Sequence, residues 1–490
     1  MTGERQLLVI DAGTTSTRAI LYSAAGEVLA SAQHDIAQHY PAPGRVEHDA
    51  REIWERSLAA ARAMVARAGG PDRIAGIGIT NQRETVVAWD RVTGEPIARA
   101  IVWQDRRTED RCRALREAGH EPVVQAATGL LLDPYFSATK MAWTMEHVAG
   151  AAALGNRLAF GTVESWLVWK LTGGLHVSDV GNASRTALLP LTGAGFDAGL
   201  CDLFGVPRAA LPEVVPSTGE IGRTVPVHFG ASIAITGLAG DQQAATIGQG
   251  CFAPGEAKAT LGTGAFILAN RGTVPPVSRH RLLGTILCEV GGTRQFALEG
   301  SVFVAGSLIQ WLRDAVGLVA SAGETEALAR SVPDSAGAVV VPALAGLGAP
   351  WWRADARGAI SGLSFAATRA HIARAALEAM AHVFHDLGEA FAADGARWPV
   401  LRLDGGMSAN DWLAQDIADM LAIPCERPSD VETTARGGAI LAAIGAGLYP
   451  SLEAAKSFVS PVTRFTPAMA EEVRAERLAR WQGALVAALG

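Results

Sequence analysis

The chain lacks several features that would have placed it quickly, and each absence closes a class of function. No stripe of basic residues occurs and the net charge is −7 over 490 residues, so nucleic acid is not an expected partner. Cys112, Cys201, Cys251, Cys288 and Cys425 are scattered singly. None has a partner at metal-ligand or redox spacing, which predicts buried, reduced thiols and a cytoplasmic location. No basic segment followed by an apolar core opens the chain, so no signal peptide is expected. The uncharged stretch 335–352 is interrupted by Pro342, Pro350 and several glycines. It reads as buried strand and loop, and no membrane insertion is expected. Lysine occurs only at positions 140, 170, 258 and 456, a scarcity attributed to composition bias without functional content.

What is present is an ordinary globular balance, 49% apolar and 19% charged, in a chain too long for a single core. Leu7–Asp11, Arg18–Ser23 and Val28–His34 read as a hairpin meander with turns at Gly13 and Gly26. Residues 49–67 have helical spacing, and Ile74–Thr80 is a buried strand ending in Asn81-Gln82-Arg83-Glu84. A second start appears near Pro254: strand Glu256–Leu261, the turn Gly262-Thr263-Gly264, and a returning strand Ala265–Ala269. Helices over 301–315 and 368–392, the strand Leu401–Asp404 and a terminal helix over 468–490, opened by Thr466-Pro467, follow. The order is that of an α/β chain with two lobes, 1–249 and 250–490, each opening on a phosphate-sized turn.

Ile10-Asp11-Ala12-Gly13-Thr14-Thr15-Ser16-Thr17-Arg18 carries the strongest chemical signal. A strand delivers a carboxylate, then a glycine turn offers hydroxyls and backbone N–H groups to phosphate oxygens. Gly13 supplies either a left-handed turn or a close approach, Arg18 a charge-assisted contact, and Asp11 a face for a hydrated divalent cation. A plain polar hairpin is the alternative. Asp241 ends the apolar run Ile233–Ala239, where ligands of open α/β sheets bind. It suits a base for an attacking hydroxyl, or a helix N-cap. Arg83 and Glu84 are surface residues taken singly. Together they offer donors and acceptors for vicinal hydroxyls, with Trp103, Tyr135 and Phe266 as candidate walls for a carbon skeleton or simply core. Asp404-Gly405-Gly406 follows another apolar strand, where bare backbone can lie against a ribose or base.

These strings, with Ile101-Val102-Trp103-Gln104-Asp105-Arg106-Arg107-Thr108, Asp133-Pro134-Tyr135-Phe136-Ser137, Asn182-Ala183-Ser184-Arg185-Thr186, Gly240-Asp241-Gln242-Gln243-Ala244, Leu298-Glu299-Gly300 and Ile309-Gln310-Trp311, resemble the glycerol kinases of the sugar and polyol kinase family. The resemblance runs from about residue 7 to about 450. It implies two actin/hexokinase-like (ribonuclease-H-like) lobes with a catalytic cleft between them. It implies Arg83, Glu84, Tyr135, Asp241 and Gln242 as polyol-hydroxyl ligands, Trp103 and Phe266 beside the carbon chain, and Asp241 as catalytic base. Thr14, Thr15, Ser16 and Arg18 match phosphate contacts, and Thr263, Gly306, Gln310, Gly406 and Asn410 the adenine-nucleotide site. Asp11, with Asp241, would hold Mg²⁺ through water.

The implied reaction is transfer from ATP to glycerol, giving sn-glycerol 3-phosphate and ADP as the entry step of glycerol catabolism, by a homodimer or homotetramer. Arg353 and Arg436 stand where an acidic and an aliphatic residue are usual in the family. The segment 225–233 lacks the glycine- and arginine-rich loop that binds fructose bisphosphate in some relatives, so inhibition by that sugar is expected to be weak or absent. The competing readings are a kinase for erythritol, xylulose or dihydroxyacetone, and an actin- or heat-shock-type machine without a small acceptor.

Overall fold

The computed structural model describes residues 5–430 and 432–490. The opening meander forms as expected: β1 (Gln6–Ala12), β2 (Ser16–Tyr22) and β3 (Val28–Asp35) are antiparallel neighbours. Helix α1 (Ala50–Ala68) follows, capped by the Asp49 side chain on Arg51 N and stopped by the left-handed Gly69. Then come β4 (Ile74–Asn81), β5 (Thr218–Arg223), β6 (Ala234–Gly240) and α2 (Asp241–Gly248). The six-stranded sheet runs β5-β6-β4-β1-β2-β3, with β1 and β6 both parallel to β4. Buried on both faces, β1, β4 and β6 are nearly all apolar, as parallel central strands require.

The second half repeats this plan. Its strands are β7 (Ala257–Leu261), β8 (Ala265–Gly272), β9 (Leu283–Val290), β10 (Thr293–Val302), β11 (Leu401–Asp404), β12 (Cys425–Pro428) and β13 (Val462–Phe465). They pair in the order β9-β10-β8-β7-β11-β12-β13, with β11 parallel to β7 and to β12. Set β3-β2-β1-β4-β6 beside β10-β8-β7-β11-β12: in each, three antiparallel strands lead to two parallel ones in the same chain order. The two turns at Gly13 and Gly262 therefore occupy equivalent corners.

Helices α3 (Gly306–Asp314), α4 (Arg369–Ala393), α5 (Asp411–Leu421), α6 (Thr433–Gly445) and α7 (Glu471–Leu489) complete the elements that bear on the site. Two expectations shift. Ser301 does not open a helix: it lies in β10, whose Val302 pairs with Ala265, and the helix starts at Gly306. The terminal helix starts at Glu471, beyond Thr466-Pro467. Helix α6 links the two halves. This helix follows the second sheet in sequence yet packs on β1, β4, β6 and α2 of the first, where Ala435, Ala439 and Leu441 join the same core as Leu7 and Val9.

The five cysteines are all buried and unpaired. Among the described residues no helix is long and apolar enough to cross a membrane.

Candidate active site

Strand register puts the principal carboxylates at one sheet edge. Asp11 of β1 and Ala239 of β6 both align with Thr80 of the intervening β4. Asp241, two residues past Ala239, thus lies at the same sheet edge as Asp11, two strands away. Asp11 Oδ1 accepts from Thr80 Oγ1 (2.9 Å) and Oδ2 from Arg18 Nη2 (2.7 Å). Arg18 also pairs with Glu432, so in this state it faces two carboxylates. The hairpin after Asp11 closes through Gly13 N to Ser16 O (2.9 Å). Gly13 is absent from the left-handed residues. Its use here is the close approach: a Cβ would lie 3.1 Å from Ser16 O.

Asp241 is the first residue of α2, and Gly240 takes the cap position, so the expected N-cap role goes to its neighbour. The Asp241 carboxylate bonds only its adjacent amide, Gln242 N to Oδ1 at 2.7 Å. It keeps 32% of its side chain open, against 1% for Arg83 and for Glu84. Burial among apolar walls pushes it up to about 6, against the opposing pull of Arg83. Arg83 and Glu84 form the floor beneath it. Arg83 Nη1 donates to Glu299 Oε2 (2.6 Å) and Gln243 Oε1 (3.3 Å), and Nη2 to Tyr135 OH (3.1 Å) and Glu299 Oε1 (3.1 Å). All four Nη protons are therefore engaged. Only Nε–H stays open, 3.4 Å from Asp241 Oδ1 and 3.7 Å from Glu84 Oε1. Glu84 holds a left-handed backbone (φ 59°), a conformation a bulky residue adopts under constraint from its surroundings. Arg185 Nε on its Oε1 (2.6 Å) and Ser137 Oγ on its carbonyl (3.1 Å) supply that constraint.

Aromatic rings enclose the same space. Trp103 stands edge-to-face with Tyr135 (5.8 Å) and with Phe266 (6.1 Å), and Phe266 also lies under the Arg83 guanidinium at 5.9 Å. Trp103 belongs to the first lobe and Phe266 to β8 of the second, so the pocket is walled across the cleft. Trp103 Nε1 donates to Thr14 Oγ1 (3.0 Å), joining this wall to the Asp11 turn. Gln242 is buried beside Asp241.

Thr263, Gly306, Gln310, Gly406 and Asn410 all line one cavity of about 440 Å³ in the second lobe. Gly306 N donates to Gly262 O (2.9 Å), which fits α3 against the second turn, and Asn410 caps α5 through Leu413 N (3.0 Å). Gly405 is left-handed (φ 83°), and a Cβ there would meet Leu261 O at 2.6 Å. Arg353 lies at the surface with Asp355, and Arg436 is buried on α6 against Asp430. Neither lines the cavity.

Four buried residues outside the expected set belong to this region: Arg185, Gln243, Lys258 and Glu299. Three of them lay in strings quoted for their resemblance but were given no role. Burial alone would raise Glu299, yet Arg185 and Arg83 override it and hold it down at about 2. Burial pulls Lys258 down to about 8, with Asp404 and Asp241 opposing. Among the described residues no three His, Cys, Asp or Glu side chains gather as a metal cage. Asp11 still has lone pairs free to accept from the water of a hydrated cation.

Residues 6–248 match the N-terminal domain of the FGGY family of carbohydrate kinases and residues 257–446 its C-terminal domain. The glycerol kinase of Rhodospirillum centenum is 52% identical over 99% of this chain and 98% of its own. That of Aromatoleum aromaticum is 52% identical over 99% of each. The crystal structure of Plasmodium falciparum glycerol kinase with ADP superposes with a TM-score of 0.90 at 32% identity, covering 99% of both chains. With both family domains matched in order and half-identical relatives aligned end to end, this chain belongs to the FGGY family of carbohydrate kinases.

Proposed function

We propose that the chain phosphorylates a terminal hydroxyl of glycerol with ATP, releasing sn-glycerol 3-phosphate and ADP. The observation that carries the reading is Arg83 Nε set 3.4 Å from Asp241 and 3.7 Å from Glu84 under aromatic walls contributed by both lobes. A machine that only hydrolyses ATP has no use for such a polyol-sized floor. The relatives that share about half its residues are glycerol kinases, which favours the three-carbon acceptor over the xylulose acted on by the Rhodospirillum rubrum structural neighbour at 26% identity.

In this reading the first lobe binds glycerol and the transferred phosphate, and the second binds adenine nucleotide in the 440 Å³ cavity. Arg83 offers Nε–H, Glu84 and Asp241 accept hydroxyl protons, Tyr135 and Gln242 complete the polar contacts, and Trp103 and Phe266 bracket the carbons. The Asp11 turn, through Thr14, Thr15 and Ser16, offers donors to the phosphates once Arg18 turns from Glu432 towards them. Phosphoryl transfer passes through a loose transition state, so alignment and charge neutralisation dominate. Asp241, held near 6 by burial, is a carboxylate at neutral pH yet basic enough to take the hydroxyl proton as the bond to phosphorus forms. Magnesium, carried with ATP and held through water by Asp11 and Asp241, would neutralise charge on the phosphate oxygens. Closure of the lobes excludes the water that competes with glycerol as acceptor.

The test is ADP release across a panel of glycerol, dihydroxyacetone, erythritol, xylitol and xylulose, with mass analysis of the product. Glycerol should give the highest kcat/KM by about tenfold or more. Preference for a five-carbon substrate, or equal ATP hydrolysis without any acceptor, would refute the reading.

A further inference from the structure

The polyol-facing side chains of the first lobe are braced from behind by two residues of the second that play no part in the chemistry above. Glu299, near the end of β10, has no exposed surface. Its Oε1 accepts from Arg83 Nη2 (3.1 Å), Arg185 Nη2 (3.0 Å) and Ser301 Oγ (2.8 Å), and its Oε2 from Arg83 Nη1 (2.6 Å). Arg185 passes this anchoring on, donating Nε to Glu84 Oε1 at 2.6 Å. One carboxylate thus fixes Arg83 directly and Glu84 through a single intermediary. Lys258, on β7 and equally buried, donates to Gln242 Oε1 (2.5 Å) and Thr260 Oγ1 (2.8 Å). An ammonium has only protons to give, so the Gln242 amide must turn its oxygen to Lys258 and is left to act as a donor elsewhere.

We propose that Glu299 and Lys258 are positioning residues for the acceptor substrate, through which the second lobe presets Arg83, Glu84 and Gln242 in the first. Full burial keeps both away from glycerol itself. Their loss is therefore felt through the residues they hold, and the acceptor site is complete only while the two lobes are docked at this point. The proposal rests on the glycerol-phosphorylating reading. Wild-type activity in the same assay separates the two, because a wild-type protein inactive on glycerol sinks that reading first.

Glu299→Gln leaves two buried guanidiniums sharing a neutral amide, and Lys258→Met frees the Gln242 amide to rotate. Each should raise the KM for glycerol about tenfold or more, with the KM for ATP within about twofold of wild type. Asp416→Asn, which breaks the buried Arg477–Asp416 pair away from the cleft, is the control. It should lower thermal stability without moving the glycerol KM. If Lys258 acts through Gln242, then Lys258→Met combined with Gln242→Ala binds glycerol no worse than Gln242→Ala alone. Additive losses, a parallel rise in ATP KM, or glycerol KM values within twofold of wild type would overturn the proposal. Should Glu299→Gln yield no folded protein, the Lys258 cycle decides alone.

Discussion

Asp241→Asn separates two effects that burial ties to one carboxyl. The side chain titrates near 6 in the fold instead of its ordinary 3.8. The active carboxylate is therefore the form that burial disfavours. A shift of about two units corresponds to about 3 kcal/mol by the usual conversion. With 32% of the side chain open to solvent, screening cuts this to about 1 kcal/mol. The sign follows from the direction of the shift. For an acid with a raised folded pKa, keeping the charge costs stability above about 6, and that cost vanishes as pH falls through 6 towards 4. The Asn variant, never charged, should melt about 1 °C above wild type at pH 7.5 and lose that advantage below pH 4. Its kcat should fall by about 10²–10⁴. Wild-type kcat/KM should lose close to a factor of ten per pH unit below about 6, while the Asn variant shows no such limb. Differential scanning fluorimetry and a coupled ADP assay from pH 4.5 to 8.5 read both effects. An acid limb centred near 4, or one that persists in the Asn variant, would refute the assignment of Asp241 as the base.

Three further outcomes are expected. Trp103→Ala removes the first-lobe wall and its bond to Thr14, and should raise kcat/KM for erythritol relative to glycerol about tenfold in the polyol panel. Gln310→Ala, at the rim of the 440 Å³ cavity, should raise the KM for ATP a few-fold, about 1 kcal/mol of one hydrogen bond, without changing the KM for glycerol. Gly437→Ala would put a methyl group 1.8 Å from Ala244 O. It should destabilise the protein by about 3 kcal/mol or more, seen as a lower denaturant midpoint.

Much of this arrangement is legible in the sequence because it is local. The meander, its turn and the carboxylates at strand ends follow from period-two runs broken by glycine. The two-lobe echo appears as a repeated strand-turn-strand unit. What escapes is set by distant contacts. Ser301-Val302-Phe303-Val304-Ala305 carries no breaker, so only pairing with Ala265 shows that its first residues are strand. Nor does anything near α6 announce that it crosses back to the first sheet, although Gly437, Gly438 and Gly445 inside one helix are a sign of backbone contact. The scarcity of lysine also conceals a pattern. Two of the four lysines, Lys140 and Lys258, are fully buried at the polyol pocket. Lys140 donates to the carbonyls of Pro134, Tyr135 and Phe136 (2.6, 2.6 and 3.2 Å), which fixes the turn that carries Tyr135. For Lys258, a lysine within a strand otherwise apolar enough to be buried was the available signal, since such a cation is kept only where acceptors await it.

The helix that carries Asp241 is also tied to the other lobe. At its far end Gln249 Nε2 donates to Asp404 Oδ2 (2.9 Å), and the same oxygen accepts from Thr433 Oγ1 at the start of α6. Asp404 closes β11 and leads on to Gly405, Gly406 and Asn410, the latter two lining the 440 Å³ cavity. Along their lengths α2 and α6 meet backbone to backbone: a Cβ on Gly248 would fall 1.9 Å from Thr433 O, as one on Gly437 would on Ala244 O. Helices packed this closely cannot slide past each other without opening a gap at every turn, so they move as one body. A contiguous path therefore runs from the glycines of the cavity, through Asp404 and Gln249, along eight residues of α2 to the carboxylate of Asp241. With Glu299 and Lys258 bracing Arg83 and Gln242 from the same lobe, the proposed base, acceptor ligands and nucleotide cavity are tied to one sheet. In-line transfer needs that common frame, because an error of about 1 Å between donor and acceptor can cost about a hundredfold in rate.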